Sequence, residues 1–195
     1  MRTEKDKSFY NKLYQSGGFE GEYLKSPKSS IYYPIWNAIL KNLTEKDIIL
    51  ELGCGAGQLA QLIINSGFNY RLGIDISMVA ISLAQVRNQN DTERFQVGNI
   101  YDDCWYSVPG INTIIMTEVL EHLNNDLKIV SMIPKDCKVL LSLPNFDSSS
   151  HVRFFRNAED VINRYFDWLK LEWIDSICIN SKAKRFIWVF KGYRI

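Results

Sequence analysis

The sequence has 195 residues, with 23 Lys and Arg against 22 Asp and Glu, a formal net charge of +1. This length fits one domain, and a hydrophobic content of 46% excludes a disordered chain. The balanced charge argues against a strongly basic nucleic-acid-binding protein. Four scattered cysteines and the lack of an apolar run of about 18 residues predict a cytoplasmic protein with free thiols and no membrane partner. The oligomeric state stays open.

The first 46 residues predict a helical cap or lid on the same domain as residues 47–195. Two helices are expected there, near residues 5–15 and 30–43, joined by a link that contains glycine and serine. The segment is rich in tyrosine, and Tyr10, Tyr14 and Tyr33 are the candidates for contacts with a ligand. The same aromatic residues could instead pack the cap onto the rest of the domain.

From residue 47 onward, short apolar runs of strand length alternate with helical patterns. Strands are predicted at residues 48–52, 70–75, 95–97, 112–117 and 139–143. Helices are predicted after the first strand, ending near Gly67, after Ser77, which is a good N-cap, and at residues 126–132. This alternation is typical of a parallel sheet with helices on both faces, that is, a doubly wound α/β fold.

The end of the chain departs from this alternation. Residues 171–180 and 185–193 form two strand-like runs joined by a turn of four residues. A connection this short permits only an antiparallel pair. The sheet is therefore predicted to be mostly parallel with an antiparallel hairpin at the C-terminus.

The sharpest local signal is a glycine-rich turn after the first strand, Gly53-Cys-Gly55-Ala-Gly57, preceded by Glu51. Glycines at a strand-to-helix turn allow a ligand to approach the backbone closely. Asp75 stands at the end of the second strand, where a carboxylate can accept both hydroxyls of a ribose. Together these features predict a ligand that contains a nucleoside.

The spacing and the charges favour one kind of nucleoside. Dinucleotide-binding turns follow GxGxxG, whereas this chain has GxGxG and carries Gln58 next. The residues around the turn include Glu51, Asp75 and Glu118 and no cation within the loop, which is unfavourable for a pyrophosphate. An acidic mouth suits a ligand that bears an ammonium and a sulfonium, namely S-adenosylmethionine.

The segments ILELGCGAGQLAQL, LGIDIS, FQVGNIYD, IIMTEVLEHL and VLLSLPNF, in this order, resemble the class I S-adenosylmethionine-dependent methyltransferases. The resemblance implies a Rossmann-like seven-stranded sheet and S-adenosylhomocysteine as a product. Asn99 departs from the family, which often has an acidic residue near the adenine. By resemblance the cofactor would be contacted by residues of the turn and the strand ends: Glu51, Gly53, Cys54, Gly55, Gly57, Asp75, Ile76, Asn99, Ile100 and Thr117. Tyr14 of the aromatic N-terminal segment is a further candidate for a cofactor contact.

Glu118, Glu121 and His122 have the i, i+3, i+4 spacing of one helical face, and His151 follows the fifth strand nearby. In one hypothesis a histidine is the general base, and His122 is preferred to His151 for this role. Glu118 would lie beside it at the catalytic edge of the sheet. A second makes the four residues ligands of a divalent metal, as in the similar E-x-x-E-H segments of small-RNA 2′-O-methyltransferases and ubiquinone-pathway O-methyltransferases. A third gives them structural roles only. A divalent metal is therefore possible at these four residues but is not the favoured hypothesis.

The resulting prediction is methyl transfer from S-adenosylmethionine to an oxygen of a small-molecule acceptor. One alternative is a metal-assisted 2′-O-methyltransferase acting on RNA, and another is a protein that binds the cofactor without turnover. Residues 181–195 carry five cations and no acid. We interpret them as a solvated hairpin, so a nucleic-acid partner is not expected.

Overall fold

The computed structural model describes residues 3–195, with Phe19 described by its backbone only. A single seven-stranded sheet has the strand order β3-β2-β1-β4-β5-β7-β6. The strands are β1 Ile48–Leu52, β2 Asn69–Asp75, β3 Phe95–Val97, β4 Thr113–Thr117, β5 Lys138–Pro144, β6 Leu169–Asn180 and β7 Arg185–Arg194. The α-helices are α1 Lys7–Gln15, α2 Tyr33–Lys41, α3 Gln58–Asn65, α4 Met78–Arg87, α5 Asp126–Met132 and α6 Ala158–Tyr165.

Strands β1 to β5 pair in parallel, and β7 pairs antiparallel with both β5 and β6. This confirms the predicted doubly wound α/β fold with a C-terminal antiparallel hairpin. The reversal of strand order between β1 and β4 opens a crevice at the carboxyl ends of these strands, which is where ligands bind in open α/β sheets.

Alternate residues of each strand face two apolar layers. On β1, Ile49 belongs to one layer with α2, α3 and α4, and Leu50 belongs to the other with α5 and α6. Both strand residues are fully buried. Because both faces of the sheet are covered, its central strands can be apolar without interruption, and this is the pattern that makes them visible in the sequence.

The two N-terminal helices differ in how they attach to the sheet. Helix α2 buries Ile35, Trp36 and Ile39 in the same layer as α3, whereas α1 buries no residue completely. Helix α1 is held by polar contacts, described below, and by aromatic contacts of Tyr10 with His122 and of Tyr14 with Tyr23. Within residues 3–195, no helix has both the length and the apolar character needed to cross a bilayer.

Helix α6 is absent from the sequence-based prediction. It begins at Ala158, after the N-cap residue Asn157, whose side chain accepts a hydrogen bond from the amide of Asp160, and it buries only Val161 and Tyr165. Two apolar residues one turn apart, among charged neighbours, give too weak a helical period to stand out. The only local indication of this helix in the sequence is Asn157, a residue type that is favoured at the N-cap.

Candidate active site

The turn between β1 and α3 forms the floor of the site. Gly53, Gly55 and Gly57 have φ angles of 76°, 53° and 71°, a left-handed conformation that glycine adopts without the steric cost paid by other residues. The amides of Gly53 and Cys54 donate to the carbonyl oxygen of Ile74 at 2.7 and 3.0 Å. These bonds fix the turn to the end of β2.

The three glycines have different surroundings. A Cβ atom on Gly53 would lie 2.5 Å from the side chain of Val119, and one on Gly57 would lie 2.7 Å from the side-chain nitrogen Nδ2 of Asn88. On Gly55 it would lie 2.8 Å from the hydroxyl of Tyr14. Gly53 and Gly57 thus permit close packing of the turn, whereas Gly55 faces the N-terminal helix.

Asp75 stands beside the turn at the end of β2. Its Oδ2 accepts from the amide of Gly55 at 3.0 Å, and its Oδ1 accepts from the amide of Ser77 at 2.8 Å. A carboxylate offers about four lone-pair sites, so two backbone bonds leave acceptor capacity for hydroxyl groups. The side chain is thereby oriented before any ligand is present.

Helix α1 lies over this region, and hydrogen bonds attach it at its middle and through the segment that precedes it. The hydroxyl of Ser77 donates to Asn11 Oδ1 at 2.8 Å. In the preceding segment, Glu4 accepts from the hydroxyl of Tyr101 at 3.0 Å and from the amide of Asn124 at 2.8 Å. These bonds join α1 and the residues before it to the start of α4 and to the loops after β3 and β4.

Two side chains that the sequence analysis missed hold the segment between α1 and α2. Gln58 Nε2 donates to the carbonyl oxygens of Glu22 and Lys25 at 2.9 and 3.0 Å. Arg87 donates to the carbonyl oxygen of Tyr23 at 3.1 Å. Contacts between a side chain and a distant backbone have no periodic pattern, so no sequence signal could have revealed these two.

The acidic character expected from Glu51, Asp75 and Glu118 is weaker than the charge count predicts. Glu51 is 1% exposed, and its Oε2 accepts from the hydroxyl of Tyr70 at 2.7 Å, beneath the turn. Burial raises the pKa of Glu51 to about 8, of Glu118 to about 7 and of Asp75 to about 6. Near neutral pH the site therefore carries less negative charge than three carboxylates would give.

Glu118 does not share a helical face with Glu121 and His122, and that expectation was wrong. Its φ angle is 56°, and the helical turn spans only Leu120–His122. The left-handed backbone at Glu118 places this residue outside the turn, which breaks the i, i+3, i+4 geometry. Glu118 Oε1 instead accepts from the hydroxyl of Ser142 at 2.9 Å, at the neighbouring strand.

The structure brings His122 and His151 together, with ring centroids 4.9 Å apart. Nδ1 of His122 lies 3.0 Å from the carbonyl oxygen of Ser150, and Nδ1 of His151 lies 3.1 Å from that of Phe146. A carbonyl oxygen can only accept, so each neutral ring carries its proton on Nδ1 and its lone pair on Nε2. Burial, then the neighbouring His151, lowers the pKa of His122 to about 4.

Glu121 completes this group. It is fully buried, and within residues 3–195 neither of its carboxylate oxygens has a hydrogen-bond partner. Its Oε1 lies 3.6 Å from His122 Nε2. Burial, then the charge of Glu118, raises its pKa. A buried carboxylate without a partner is costly, and a bound cation or a substrate donor would satisfy it.

The same three residues fit a divalent metal ion. One potential ligand atom from each of Glu121, His122 and His151 lies within 4.8 Å of the others. One carboxylate oxygen and two imidazole nitrogens form a mixed donor set that several first-row metals accept. Both rings also have the Nδ1-to-carbonyl contact that orients metal-binding histidines. Glu118, the fourth predicted ligand, lies outside this set.

Arg153 attaches the segment that carries His151 to the turn that carries His122. Its Nη1 donates to the carbonyl oxygens of Leu120 and Leu123 at 2.7 and 2.6 Å, and its Nη2 donates to that of Asn124 at 3.1 Å. Its own amide donates to the carbonyl oxygen of Glu121 at 3.3 Å. We call this arrangement the Arg153 clamp.

The other predicted cofactor contacts stand at neighbouring strand ends. Ile76 follows β2 and is half-buried, and Thr117 ends β4. Asn99 and Ile100 follow β3, with Ile100 buried and Asn99 exposed. The Oδ1 of Asn99 accepts from the amide of Tyr101 at 3.0 Å, which fixes the orientation of this side chain. The structure thus brings the predicted cofactor residues to one edge of the sheet.

A doubly wound sheet with a glycine turn, an acidic residue after β2 and titratable groups after β4 and β5 defines a nucleoside-dependent enzyme of the methyltransferase type. A family model described as "Methyltransferase domain" matches residues 30–177. The chain belongs to this family, and this confirms the predicted class I S-adenosylmethionine-dependent methyltransferase. No curated protein sequence matches the chain.

Solved structures with the same fold include magnesium protoporphyrin IX methyltransferase (ChlM) from Synechocystis PCC 6803 with bound SAH. It is 15% identical, with a TM-score of 0.66 and coverage of 97% of this chain and 100% of that one. A second ChlM structure contains SAM, in agreement with the predicted cofactor. The [4+2]-cyclase SpnF is 10% identical, with a TM-score of 0.68 and coverage of 98% of both chains.

A third structure is geranyl diphosphate methyltransferase in complex with GPP and sinefungin. It is 10% identical, with a TM-score of 0.62 and coverage of 84% of this chain and 78% of that one. At these identities the likeness establishes the fold. The names of these proteins refer to different chemistries on the fold, so the acceptor must be argued from this chain's own residues.

Proposed function

We propose that this protein transfers the methyl group of S-adenosylmethionine to a hydroxyl oxygen of a small-molecule acceptor. The observation that supports this is the pairing of the His122 and His151 imidazoles at the carboxyl edge of β4 and β5, with the lone pair of neutral His122 on Nε2. A hydroxyl must lose its proton as it attacks the methyl carbon, and a neutral imidazole can accept that proton. The sulfonium is already activated, so alignment supplies most of the remaining catalysis.

The cofactor is assigned to the glycine turn and its neighbours. The methionine part would lie against Gly53, Gly55 and Gly57, the ribose hydroxyls against Asp75, and Tyr14 would cover the cofactor from α1. The acceptor capacity that remains on Asp75 and the tight packing of Tyr14 over Gly55 support this assignment.

The test uses S-adenosylmethionine labelled in its methyl group and cell extract separated into small molecules, RNA and protein. We expect label in an ether linkage within the small-molecule fraction. His122→Asn and His151→Asn are expected to lower kcat by about tenfold to a thousandfold, in the range typical of general-base catalysis, with an unchanged Kd for S-adenosylhomocysteine. Label on nitrogen or carbon, or full activity of both variants, would contradict the proposal.

A second candidate is methyl transfer assisted by a divalent metal, and the unpartnered carboxylate of Glu121 is the observation that favours it. Glu121, His122 and His151 would hold the ion, which when bound would lower the pKa of an acceptor hydroxyl. In that case both histidines act as ligands, and neither acts as the base.

Metal analysis and a matched pair of variants separate the two candidates. Glu121→Gln keeps the shape of the side chain and removes its charge, and Glu118→Gln makes the same change just outside the three-residue set. Under the metal candidate, dialysed protein retains or rebinds Mn²⁺ or Zn²⁺, and only Glu121→Gln weakens that binding by tenfold or more. Activity that is complete after chelation and insensitive to added ions would exclude this candidate.

The charges of the C-terminal hairpin support a small-molecule acceptor over RNA. Arg194 is 8% exposed and donates to the carbonyl oxygen of Val130, and Lys191 pairs with Glu172 at 3.1 Å. Arg185 lies over the ring of Phe146 at 4.9 Å. Three of the five cations in this segment are thus engaged within the protein, which leaves a weak electrostatic surface for a phosphate backbone.

A further inference from the structure

One face of helix α1 spans the two halves of the candidate site. Tyr10 and Tyr14 are four residues apart, so their side chains lie on the same face, about 6 Å apart along the helix axis. The Tyr14 hydroxyl lies against the glycine turn, 2.8 Å from where a Cβ atom on Gly55 would be. The Tyr10 ring meets the His122 ring edge to face, with centroids 6.1 Å apart and ring planes inclined at 85°. This face thus reaches from the proposed cofactor turn to the proposed base.

The glycine turn and the turn that carries His122 are in direct contact. A Cβ atom on Gly53 would lie 2.5 Å from the side chain of Val119, and Val119 precedes the helical turn Leu120–His122. A cofactor bound on the glycine turn would therefore present its methyl group beside the His122 turn. Because Tyr10 contacts His122 from α1, it lies where methyl donor and base would meet.

Hydrogen bonds on both sides of Tyr10 fix its position. Asn11, the next residue, accepts from the hydroxyl of Ser77 at the start of α4. Glu4, which precedes α1, accepts from the amide of Asn124 in the loop that follows the helical turn after β4. Helix α1 is thus tied both to the strand end that carries the carboxylate assigned to the ribose and to the loop that carries the proposed base.

The Tyr10 hydroxyl is a hydrogen-bond donor that the fold does not use. The side chain is half-buried, and in the part of the chain that the structure describes its ring contacts are with Phe9 and His122, with no hydrogen bond from the hydroxyl. Burial, then the charges of Glu121 and Asp75, raises the pKa of Tyr10, so the hydroxyl keeps its proton. Buried tyrosine hydroxyls usually find a partner, so this donor is available to a bound molecule.

The contacts of His122 leave one of its nitrogens for a reacting proton. Its Nδ1 lies against the carbonyl oxygen of Ser150, and His151 and Tyr10 each approach its ring edge to face. These three contacts hold the ring plane, so the lone pair on Nε2 has a fixed direction. Two hydrogen bonds of about 2.8 Å each span up to about 5.6 Å, so a single oxygen atom can bridge neighbouring side chains of this kind.

A donor at this position distinguishes oxygen from nitrogen acceptors. A hydroxyl oxygen has two lone pairs and one proton. It can direct one lone pair at the methyl carbon, accept from Tyr10 with the other and give its proton to His122. The nitrogen of a neutral amine has a single lone pair, which the attack on the methyl carbon uses. With such an acceptor the Tyr10 hydroxyl is left without a partner in a closed site, which is costly.

We propose that Tyr10 is an acceptor-binding residue that selects a hydroxyl oxygen, by donating to that oxygen while Nε2 of His122 takes its proton. This inference rests on the proposed function. As the oxygen bonds to the methyl carbon, the carbon–sulfur bond breaks and its electron pair goes to sulfur. The hydroxyl proton goes to Nε2 of His122 and then to water, and the proton of Tyr10 is not transferred.

The experiment measures transfer of labelled methyl from S-adenosylmethionine by the full-length protein into the small-molecule fraction of cell extract, supplied in limiting amounts. Products are separated into O-methyl and N-methyl compounds. Tyr10→Phe removes only the hydroxyl, and Tyr10→Leu also removes the ring. Tyr193→Phe is the matched control, because Tyr193 is half-buried and pairs with Lys138, at the opposite end of β5 from the histidines.

We expect Tyr10→Phe to lower the rate of O-methyl transfer by about tenfold to a hundredfold, the effect of a lost hydrogen bond to an oxygen that gains negative charge as its proton leaves. The Kd for S-adenosylhomocysteine should be unchanged, and Tyr193→Phe should match wild type. Equal rates of O-methyl transfer in wild type and Tyr10→Phe would overturn the proposal. So would an equal loss of transfer to oxygen and to nitrogen.

The NMR signals of His122 test the contact with Tyr10 without turnover. The chain has two histidines, and His122→Asn assigns their ring-proton signals. Tyr10→Leu should shift the signals of His122 because the neighbouring aromatic ring is gone, whereas Tyr10→Phe should leave them in place. This pattern in a protein that transfers no label would establish the contact and refute the proposed function. Normal O-methyl transfer by Tyr10→Phe would refute the role of its hydroxyl and leave the proposed function standing.

Discussion

His122 and His151 meet edge to face, with ring planes inclined at 78°, although 28 residues lie between them in the sequence. Each ring is oriented by a carbonyl oxygen. The backbone segments that carry the rings are joined by the guanidinium of Arg153 and by the amides of Val152 and Arg153, which donate to the carbonyl oxygen of Glu121 at 2.8 and 3.3 Å. The geometry of the pair therefore depends on a residue that touches neither ring nitrogen.

Replacing Arg153 with lysine tests this dependence. Lysine keeps the charge but cannot bond three carbonyl oxygens in a fixed plane, and hydrogen bonds to charged groups contribute about 1.5–3 kcal/mol each. We expect kcat to fall by about tenfold or more with an unchanged Kd for S-adenosylhomocysteine. Stopped-flow and calorimetric measurements give the two quantities.

Arg164→Lys is the matched control, because Arg164 also binds Asp126, through Nε and Nη2 at 2.7 and 2.6 Å, but has no contact with the 120–124 turn. The Tm of Arg164→Lys should fall by about as much as that of Arg153→Lys, whereas its kcat should stay at the wild-type value. Equal losses of kcat in both variants would mean that Arg153 acts through stability alone.

Gly55→Ala should weaken cofactor binding more than it weakens the fold. The new Cβ would lie 2.8 Å from the Tyr14 hydroxyl, and the left-handed backbone costs about 1–2 kcal/mol for alanine. Gly67→Ala has the same backbone cost, at φ 81°, with no atom within 4 Å of the added group. We expect similar decreases in Tm for both variants and a Kd for S-adenosylhomocysteine at least tenfold higher for Gly55→Ala only.

Glu51 makes the unliganded protein less stable at high pH. Burial raises its pKa from 4.5 to about 8, so its contribution to stability is fully present below about 4.5 and is lost as pH rises through about 8. We expect the wild-type Tm to fall between pH 6 and pH 9, and to fall less in Glu51→Gln. Glu45→Gln, at an exposed site, should follow the wild type. Parallel curves for all three proteins would contradict this assignment.

Gln58→Ala should release the segment between α1 and α2. The change removes two hydrogen bonds to the backbone of residues 22–25, each worth about 0.5–1.5 kcal/mol. Limited trypsin digestion should cut after Lys25 or Lys28 at least several-fold faster than in wild type. Gln61→Ala removes a single bond, to Arg87, from the same helix and should leave the rate of cutting unchanged. Equal rates in both variants would argue against an anchoring role for Gln58.

The parts of the fold that the sequence predicts are those that follow local rules. Ser77 caps α4 through a bond from the amide of Ala80 at 3.2 Å, and helix α5 spans the predicted residues, because capping and periodic burial are properties of a few consecutive residues. The glycine turn is visible for the same reason, since positive φ angles select glycine.

The parts that the sequence did not predict depend on contacts between distant segments. Glu51 looks in the sequence like a charge that faces the ligand, but it is buried beneath the glycine turn and bonded to Tyr70. The Arg153 clamp joins two loops that are distant in sequence and become neighbours only when the sheet forms. The left-handed conformation of Glu118 is equally hidden, because glutamate rarely adopts it and no local pattern predicts it.

Gln58 occupies the position at which dinucleotide-binding turns have their final glycine, and here that position also anchors the chain that precedes the sheet. Two properties that are usually separable, the choice of nucleotide and the attachment of the N-terminal segment, are encoded by one side chain. A substitution toward the dinucleotide pattern would therefore detach the cover of the site at the same time. Evolutionary or engineered exchange of the cofactor at this turn would require a second, compensating anchor elsewhere.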